Sequence, residues 1–258
     1  EDVEAGVRAE GDRGFLRFAV EAVEAEHHLA LARLEKPASA ALRLAEVAQV
    51  KPAGFDLAAL LARRAGGAGG GLYMLGGTLS GTAVTISGNS SGTDGGGVAI
   101  AQGTASFINS TISNNSTNGS GGGLSNKGNT TLSFVTIADN TAVQGASIRP
   151  IINTLTLNNT IISGSCMGTI VSQGYNLIQN PAGCTINGDT TGNILGQDPA
   201  LDPLANNGGG TMTRALRPDS PAVEAGNNAL CPATDQRGIS RPRGVACRFQ
   251  VVEYGVEA

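Results

Sequence analysis

The chain has 258 residues, a formal net charge of -4 at pH 7, 38 Gly and no Trp. This composition excludes a basic field for nucleic acid or an anionic membrane surface, and no apolar run approaches the ~18 residues of a membrane-spanning helix. Charged residues number 20 in residues 1–65, 7 in 66–210 and 11 in 211–258. We therefore predict three parts: an N-terminal helical cap or assembly segment (1–65), a nearly uncharged middle of parallel β-helix repeats (66–210) and a disulfide-stapled C-terminal cap of the β-helix (211–258).

The N-terminal segment is rich in Ala, Leu, Glu and Arg and contains neither Thr nor Asn. Between residues 15 and 34 its apolar residues recur near helical spacing, which predicts an amphipathic helix. We expect it to cap the first repeat of the middle part, because an open strand edge favours aggregation. Glu24 and His27 form an ExxH unit of the kind found in carboxylate di-metal sites, but a second copy is missing from the sequence, so we interpret them as a solvated face. Residues 35–65 carry no prediction of a role.

The middle part contains four related repeats between Gly69 and Ser165. Two apolar positions recur at steps of 24 to 26 residues: Leu72, Val98, Leu124 and Ile148 in one, and Ile86, Ile112, Ile137 and Ile162 in the other. Such a period indicates a solenoid, in which each repeat buries its apolar face only by stacking on its neighbours. Apolar residues alternate with Thr and Ser within each repeat, as they do in strands. The pattern predicts an all-β fold, a right-handed parallel β-helix with an N-terminal α-helical cap.

Two kinds of residue mark the corners of the predicted coils. Asn89, Asn115 and Asn140 follow one strand position at steps of 26 and 25. An Asn at the same corner of successive coils tolerates left-handed backbone angles and bonds its amide to the next copy, so we predict an asparagine ladder and not a ligand site. Triple glycines open the first three repeats and indicate corners with positive φ or close backbone approach. The alternative, a phosphate cradle, lacks the GxxxxGK[ST] motif and a following helix.

Four cysteines follow the regular repeats: Cys166, Cys184, Cys231 and Cys247. None lies in a CxxC motif, and the only two histidines are adjacent and far away in sequence, which disfavours a zinc site. Four cysteines allow three connectivities. Pairing sequence neighbours would join Cys166 to Cys184 and Cys231 to Cys247. Because persistent disulfides imply an oxidising compartment, we expect an extracellular or cell-surface protein whose signal peptide is absent from this numbering.

The last third of the chain contains several short sequence motifs in a fixed order. They are GYNLI (174–178), DPAL (198–201), LANNGG (204–209), DSPAV (219–223) and CPATDQRG (231–238). In these motifs the chain resembles bacterial secreted proteins with a "choice-of-anchor Q" domain, which are also similar to polymorphic outer-membrane-protein repeats. The resemblance implies an exported, surface-associated β-helix and brings no known catalytic residues. The chain departs from that pattern at Glu224, where Asp is usual, and after Cys247, where Arg-Phe replaces Asp-Ile.

Polysaccharide lyases and hydrolases are the alternative class of function for such a fold. A glycosidase needs two carboxylates close together, and a uronate lyase needs acidic calcium ligands beside an Arg or Lys base. The middle part offers few candidates, chiefly Asp94, Asp139 and Asp198, and these lie in different repeats and turns. We therefore predict that the protein is not an enzyme and has neither a cofactor nor a catalytic or structural metal.

The sequence argues against three binding sites: a carbohydrate site, a ligand site around Asp235 and an ice-binding surface. A carbohydrate-binding module would present exposed aromatic side chains, yet Tyr73, Tyr175 and Tyr254 are isolated in the sequence. Asp235 is expected to pair locally with Arg237 or Arg241 and to fix its loop. The threonines shift phase between repeats, which argues against an ice-binding rank.

The prediction is a non-enzymatic extracellular structural protein, a surface scaffold or adhesin, with a self-assembling filament or sheath subunit as a variant. Its expected partners are a second copy, a cell surface or a glycan, without nucleic acid and without a membrane span.

Overall fold

The computed structural model describes residues 68–241 and residue 247. These residues form fourteen strands and one 3-10 turn at Asn228–Leu230. The strands are β1 (Leu72–Met74), β2 (Thr78–Thr82), β3 (Thr85–Ser87), β4 (Ser90–Ser91), β5 (Val98–Ile100), β6 (Thr104–Ser113), β7 (Ser116–Thr117), β8 (Leu124–Asn126), β9 (Asn129–Ala138), β10 (Ile148–Pro150), β11 (Leu155–Asn158), β12 (Ile161–Gln173), β13 (Leu177–Asp189) and β14 (Ile194–Leu195). Within this part of the chain, no helix has the length and hydropathy needed to cross a membrane. The predicted N-terminal helical cap lies outside the described residues, and the three-part division stays a prediction.

All the named strands pair in parallel. Leu72 of β1 lies opposite Val98 of β5, and Val98 lies opposite Leu124 of β8, which are the positions that the sequence repeats. The chain therefore returns to the same place in the sheet after each repeat. The rest of each repeat supplies the long connection that two parallel neighbouring strands require. One such stack contains β1, β5, β8 and β10, and the long strand β12 continues it into a second stack with β11, β9, β6 and β2. The predicted all-β, mostly parallel, solenoid-like architecture is confirmed.

The apolar rows predicted from the sequence line one hydrophobic core. Val98, Leu124 and Ile148 are fully buried, whereas Leu72 of the first coil is only partly buried. Burying such a side chain contributes about 1.5–3 kcal/mol. Since Leu72 has a described neighbour on one side only, this contrast illustrates that stacking, and not the single repeat, creates the core.

Every coil bends at a residue with left-handed backbone angles. Ala83, Asn109, Phe134 and Asn159 occupy this corner, with φ of 57°, 47°, 54° and 46°. Asn adopts such angles readily, whereas a bulky residue does so only when its surroundings compensate the strain. The corner divides the second stack into two sets of half-strands, with separate outer faces before and after the bend.

The triple glycines provide both features that the sequence predicts, a positive φ and a close approach of two backbones. Gly95 has a φ of +66°, and a Cβ on the next residue, Gly96, would lie 2.5 Å from the carbonyl oxygen of Gly122 in the next coil. A larger residue at position 96 would therefore push two coils apart.

After β14 the chain turns back along the outside of the coils as a segment that we call the C-terminal strap, residues 200–241. Short antiparallel bridges join Leu201 to Leu216 and Ala205 to Thr213. The strap covers the outward row of the half-strands that follow the corner. That row is Thr85, Thr111, Thr136, Ile161, Leu177 and Ile194. Both faces of these half-strands are therefore covered, which explains why burial in β6 is unbroken from residue 109 to 113.

The strap matches the chemistry of the row beneath it. Leu216 and Ala222 pack on Ile161 and Leu177 in a second, smaller apolar cluster. Over the threonine half of the row, the Thr85 hydroxyl donates to the carbonyl of Met212 over 2.5 Å. The described part of the predicted C-terminal segment thus contacts the side of the coils.

Candidate functional site

Asn89, Asn115 and Asn140 form a continuous chain of side-chain hydrogen bonds at one corner of successive coils. Asn89 Nδ2 donates to Asn115 Oδ1 over 3.0 Å, and Asn115 Nδ2 donates to Asn140 Oδ1 over 3.0 Å. The same two oxygens accept from the backbone N–H groups of Asn89 (3.0 Å) and Asn115 (2.9 Å). The amides therefore satisfy polar groups inside the stack, as a structural ladder does.

A second amide ladder lies in the later coils, outside the four repeats recognised in the sequence, and was not predicted. The backbone N–H of Asn176 donates to Asn193 Oδ1 over 2.8 Å, and the N–H of Thr160 donates to Asn176 Oδ1 over 3.0 Å. Both asparagines follow a left-handed corner, at Tyr175 and Gly192. The recurrence of YNLI (175–178) as GNIL (192–195) is the sequence signal that could have revealed it.

The four cysteines form two pairs of sequence neighbours. Cys166 and Cys184 have Cα atoms 5.5 Å apart, and Cys231 and Cys247 have Cα atoms 5.7 Å apart. The first pair joins the adjacent strands β12 and β13. The second connects the strap to residue 247, whose carbonyl accepts from the N–H of Gly226 over 2.8 Å.

The three candidate carboxylates all have structural partners. Asp94 Oδ1 accepts from the N–H of Ser120 over 3.1 Å, and its Oδ2 lies 3.7 Å from Lys127 Nζ. Asp139 forms an ion pair with Arg214 of the strap. Asp198 Oδ1 accepts from the N–H of Ala200 over 2.9 Å, as in a turn. The described residues include no group of three or more His, Cys, Asp or Glu placed to hold a metal ion.

Arg214 fastens the strap to two coils at once. Its guanidinium is buried and donates from Nε to Ser113 Oγ over 2.8 Å and from Nη2 to Asn114 Oδ1 over 3.0 Å. It also donates to the carboxylate of Asp139 in the next coil. Charge-assisted hydrogen bonds of this kind are about twice as strong as neutral ones.

The charged residues around Asp235 also have structural roles. Asp235 Oδ2 lies 2.8 Å from Arg237 Nη2, so the predicted local pairing is confirmed with Arg237 as the partner. Arg241 instead stacks its guanidinium 4.9 Å from the ring centroid of Phe134. Its burial lowers the pKa of Arg241 to about 10, which leaves the group charged at neutral pH. The ring and the adjacent Asn109 Oδ1, 3.0 Å from Arg241 Nη1, stabilise that charge.

A depression of about 590 Å³ lies along the turns between the two stacks. It is lined by Ala101, Gln102, Gly103, Thr104, Lys127, Asn129, Ile152 and Asn153. Amides, hydroxyls and alkyl groups dominate this lining, Lys127 is its one charged member, and no carboxylate belongs to it. The depression therefore offers hydrogen bonds to a polar ligand but lacks the acid that glycoside hydrolysis requires.

Comparison of the chain with protein-family models, with curated proteins and with solved structures finds no match.

Proposed function

We propose that the protein is a non-enzymatic, extracellular, right-handed parallel β-helix of the choice-of-anchor Q type, which serves as a surface scaffold or adhesin and is capped by its N-terminal helix. The observation that carries this proposal is that Asp94 and Asp139 of the described coils are engaged in ion pairs. Asp94 and Asp139 bind Lys127 and Arg214, whereas Ser, Thr and Asn dominate the outer faces of the strands. Right-handedness follows the strong preference of crossover connections between parallel strands of one sheet.

Secretion is supported by the cysteines. Both pairs lie at disulfide distance, and such bonds persist in oxidising compartments. The pairs stabilise the last coils and the strap, the parts of the fold where the regular repeats have ended.

The alternative, a polysaccharide lyase or hydrolase, needs a free acid beside a substrate groove. Asp198 is engaged in its own turn, and the depression along the coil turns has no carboxylate in its lining. These contacts favour binding over catalysis, with a cell surface, a glycan or a second copy as the partner.

Electron microscopy of the purified chain, together with its mass in solution, tests the proposal. We expect discrete particles of the 25.9 kDa chain that bind to cells or to a glycan array. Ordered filaments would instead support the variant in which self-assembly is the function. Polysaccharide turnover that disappears in the triple variant Asp94→Asn, Asp139→Asn, Asp198→Asn, while the variant keeps its far-UV circular dichroism, would contradict a non-enzymatic role.

A further inference from the structure

The half-strands before the left-handed corner present two regular rows of mostly short polar side chains. In the first row, Ser80 lies opposite Ser106, Ser106 opposite Thr131, and so on through six coils. The full row is Ser80, Ser106, Thr131, Thr156, Val171 and Asn187. The second row lies two residues earlier on each coil: Thr78, Thr104, Asn129, Thr154, Thr169 and Thr185. We call these two rows the threonine face.

Register and burial show that the rows are continuous and point outward. Thr104 lies opposite both Thr78 and Asn129, and Thr169 lies opposite Thr185. Thr154 precedes β11 and joins the row through its N–H, which donates to Asn129 Oδ1 over 3.3 Å. It lies two residues before Thr156, which pairs with Val171, so the same register places it beside Thr169. The residues between the two rows, such as Leu79, Ala105, Leu155 and Ile170, are buried in the core.

The threonine face is open to solvent and uncharged. Its members are exposed or half-buried, seven of them are Thr, and none is ionisable. The other stacked threonines, Thr85, Thr111 and Thr136, lie beneath the strap and are buried. The fold therefore leaves one threonine surface bare and seals the other.

The side chains of the two rows repeat regularly in two directions, from strand to strand and along each strand. Stacked strands lie ~4.8 Å apart, and alternate residues along a strand lie ~6.7 Å apart, so six coils extend the face over ~24 Å. The oxygen atoms of an ice surface also form a two-dimensional lattice, with repeats of the same order as these. Each Thr hydroxyl can donate and accept a hydrogen bond, and its branched Cβ restricts χ1, so the hydroxyls are ordered before binding.

We infer that the threonine face binds the surface of an ice crystal, an activity separate from the proposed scaffold role. A charged side chain would impose its own hydration geometry on the adjacent water, and no member of the face is charged. Lys127, which lines the depression beside Thr104 and Asn129, lies 3.7 Å from the carboxylate of Asp94. A protein partner would need aromatic or Arg anchors, and a sugar would need an aromatic plate, whereas Val171 is the single apolar member of the face.

The sequence analysis argued against ice binding because the threonines shift phase between repeats, whereas the strand register aligns them. Successive members of the second row are 26, 25, 25, 15 and 16 residues apart. The spacing changes because the coils shorten after Thr154, although the strands stay in register. The threonines drift in sequence and remain aligned in space.

Thermal hysteresis of the full chain, and its incorporation into slowly grown ice, test the inference. We expect a gap between melting and freezing points and enrichment of the protein in ice. Thr131→Tyr, in the middle of the face, should abolish both effects, and Thr104→Lys in the neighbouring row should do the same. Thr141→Tyr, at an exposed threonine outside the face, is the matched control and should keep them.

Far-UV circular dichroism and urea midpoints establish that each variant is folded before it is compared. A folded wild-type chain that shows no hysteresis and is excluded from ice overturns the inference. So does a folded Thr131→Tyr or Thr104→Lys variant with wild-type activity, or an equal loss in Thr141→Tyr. Each of these results would leave the scaffold proposal unaffected, because that proposal is tested by imaging and surface binding.

Discussion

Replacing Asn115 by Ala removes the central member of the asparagine ladder. Asn115 Oδ1 accepts from the backbone N–H and from Nδ2 of Asn89, while its Nδ2 donates to the Ile86 carbonyl over 2.9 Å and to Asn140 Oδ1. With Ala in its place, the Asn89 backbone N–H loses its acceptor, and the Ile86 carbonyl, which lies in the ladder between β3 and β6, loses a side-chain donor. Leaving one backbone N–H without its partner costs about 1–3 kcal/mol, so we expect the free energy of unfolding to fall by about that amount.

The end of the same ladder is the comparison. The side-chain Nδ2 of Asn89 donates to the Ser87 carbonyl over 3.1 Å and to Asn115 Oδ1. When Asn89 becomes Ala, Asn115 Oδ1 keeps the backbone N–H of residue 89. We expect that variant to lose about 1 kcal/mol, and Asn118→Ala on an exposed turn to stay within about 0.5 kcal/mol of wild type. Urea unfolding under oxidising conditions, with equal slopes, measures the difference. If Asn115→Ala loses no more stability than Asn89→Ala, the ladder does not hold the coils together.

Three further predictions concern the strap, the later coils and acid stability. Arg214→Met should release the strap, so limited proteolysis should cut it faster while the coils stay folded; Asp139→Asn should have a smaller effect, because its side chain is 60% exposed, and equal effects would contradict the assigned role of Arg214. Replacing Cys166 and Cys184 together by Ser should lower the free energy of unfolding by about 3 kcal/mol through the lost loop closure, and a reducing agent should then cost this variant less stability than it costs the wild type; equal sensitivity would refute this. Hydrogen bonds from Thr191 lower the pKa of Asp189 below its ordinary 3.8, so the stability that this carboxylate contributes is present above that pH and is lost as the pH falls through the lower folded value. Asp189→Asn should therefore weaken the protein at neutral pH and not in strong acid, and a pH-independent effect on unfolding would disprove the linkage.

The repeat period alone predicted much of the stacked core. Leu124 and Ile148 recur at the same position of the repeat, and such a recurrence has one economical explanation, a coil that returns to the same sheet position. Asn115 and Asn140 were recognisable for the same reason, because a residue repeated at a corner meets its own copy. Both inferences rest on contacts between adjacent repeats, whose spacing can be read from the chain.

Contacts between distant parts of the chain were out of reach of that reasoning. Arg214 binds Ser113 across 101 residues, and Gln236 binds Thr85 across 151, and no period in the sequence relates these positions. The strap therefore decides which threonines are sealed and which stay open. The alignment of Thr154 with Thr169 likewise depends on the hydrogen-bonded register of shortened coils, since a strand holds its neighbour by backbone geometry and not by a constant number of residues between them.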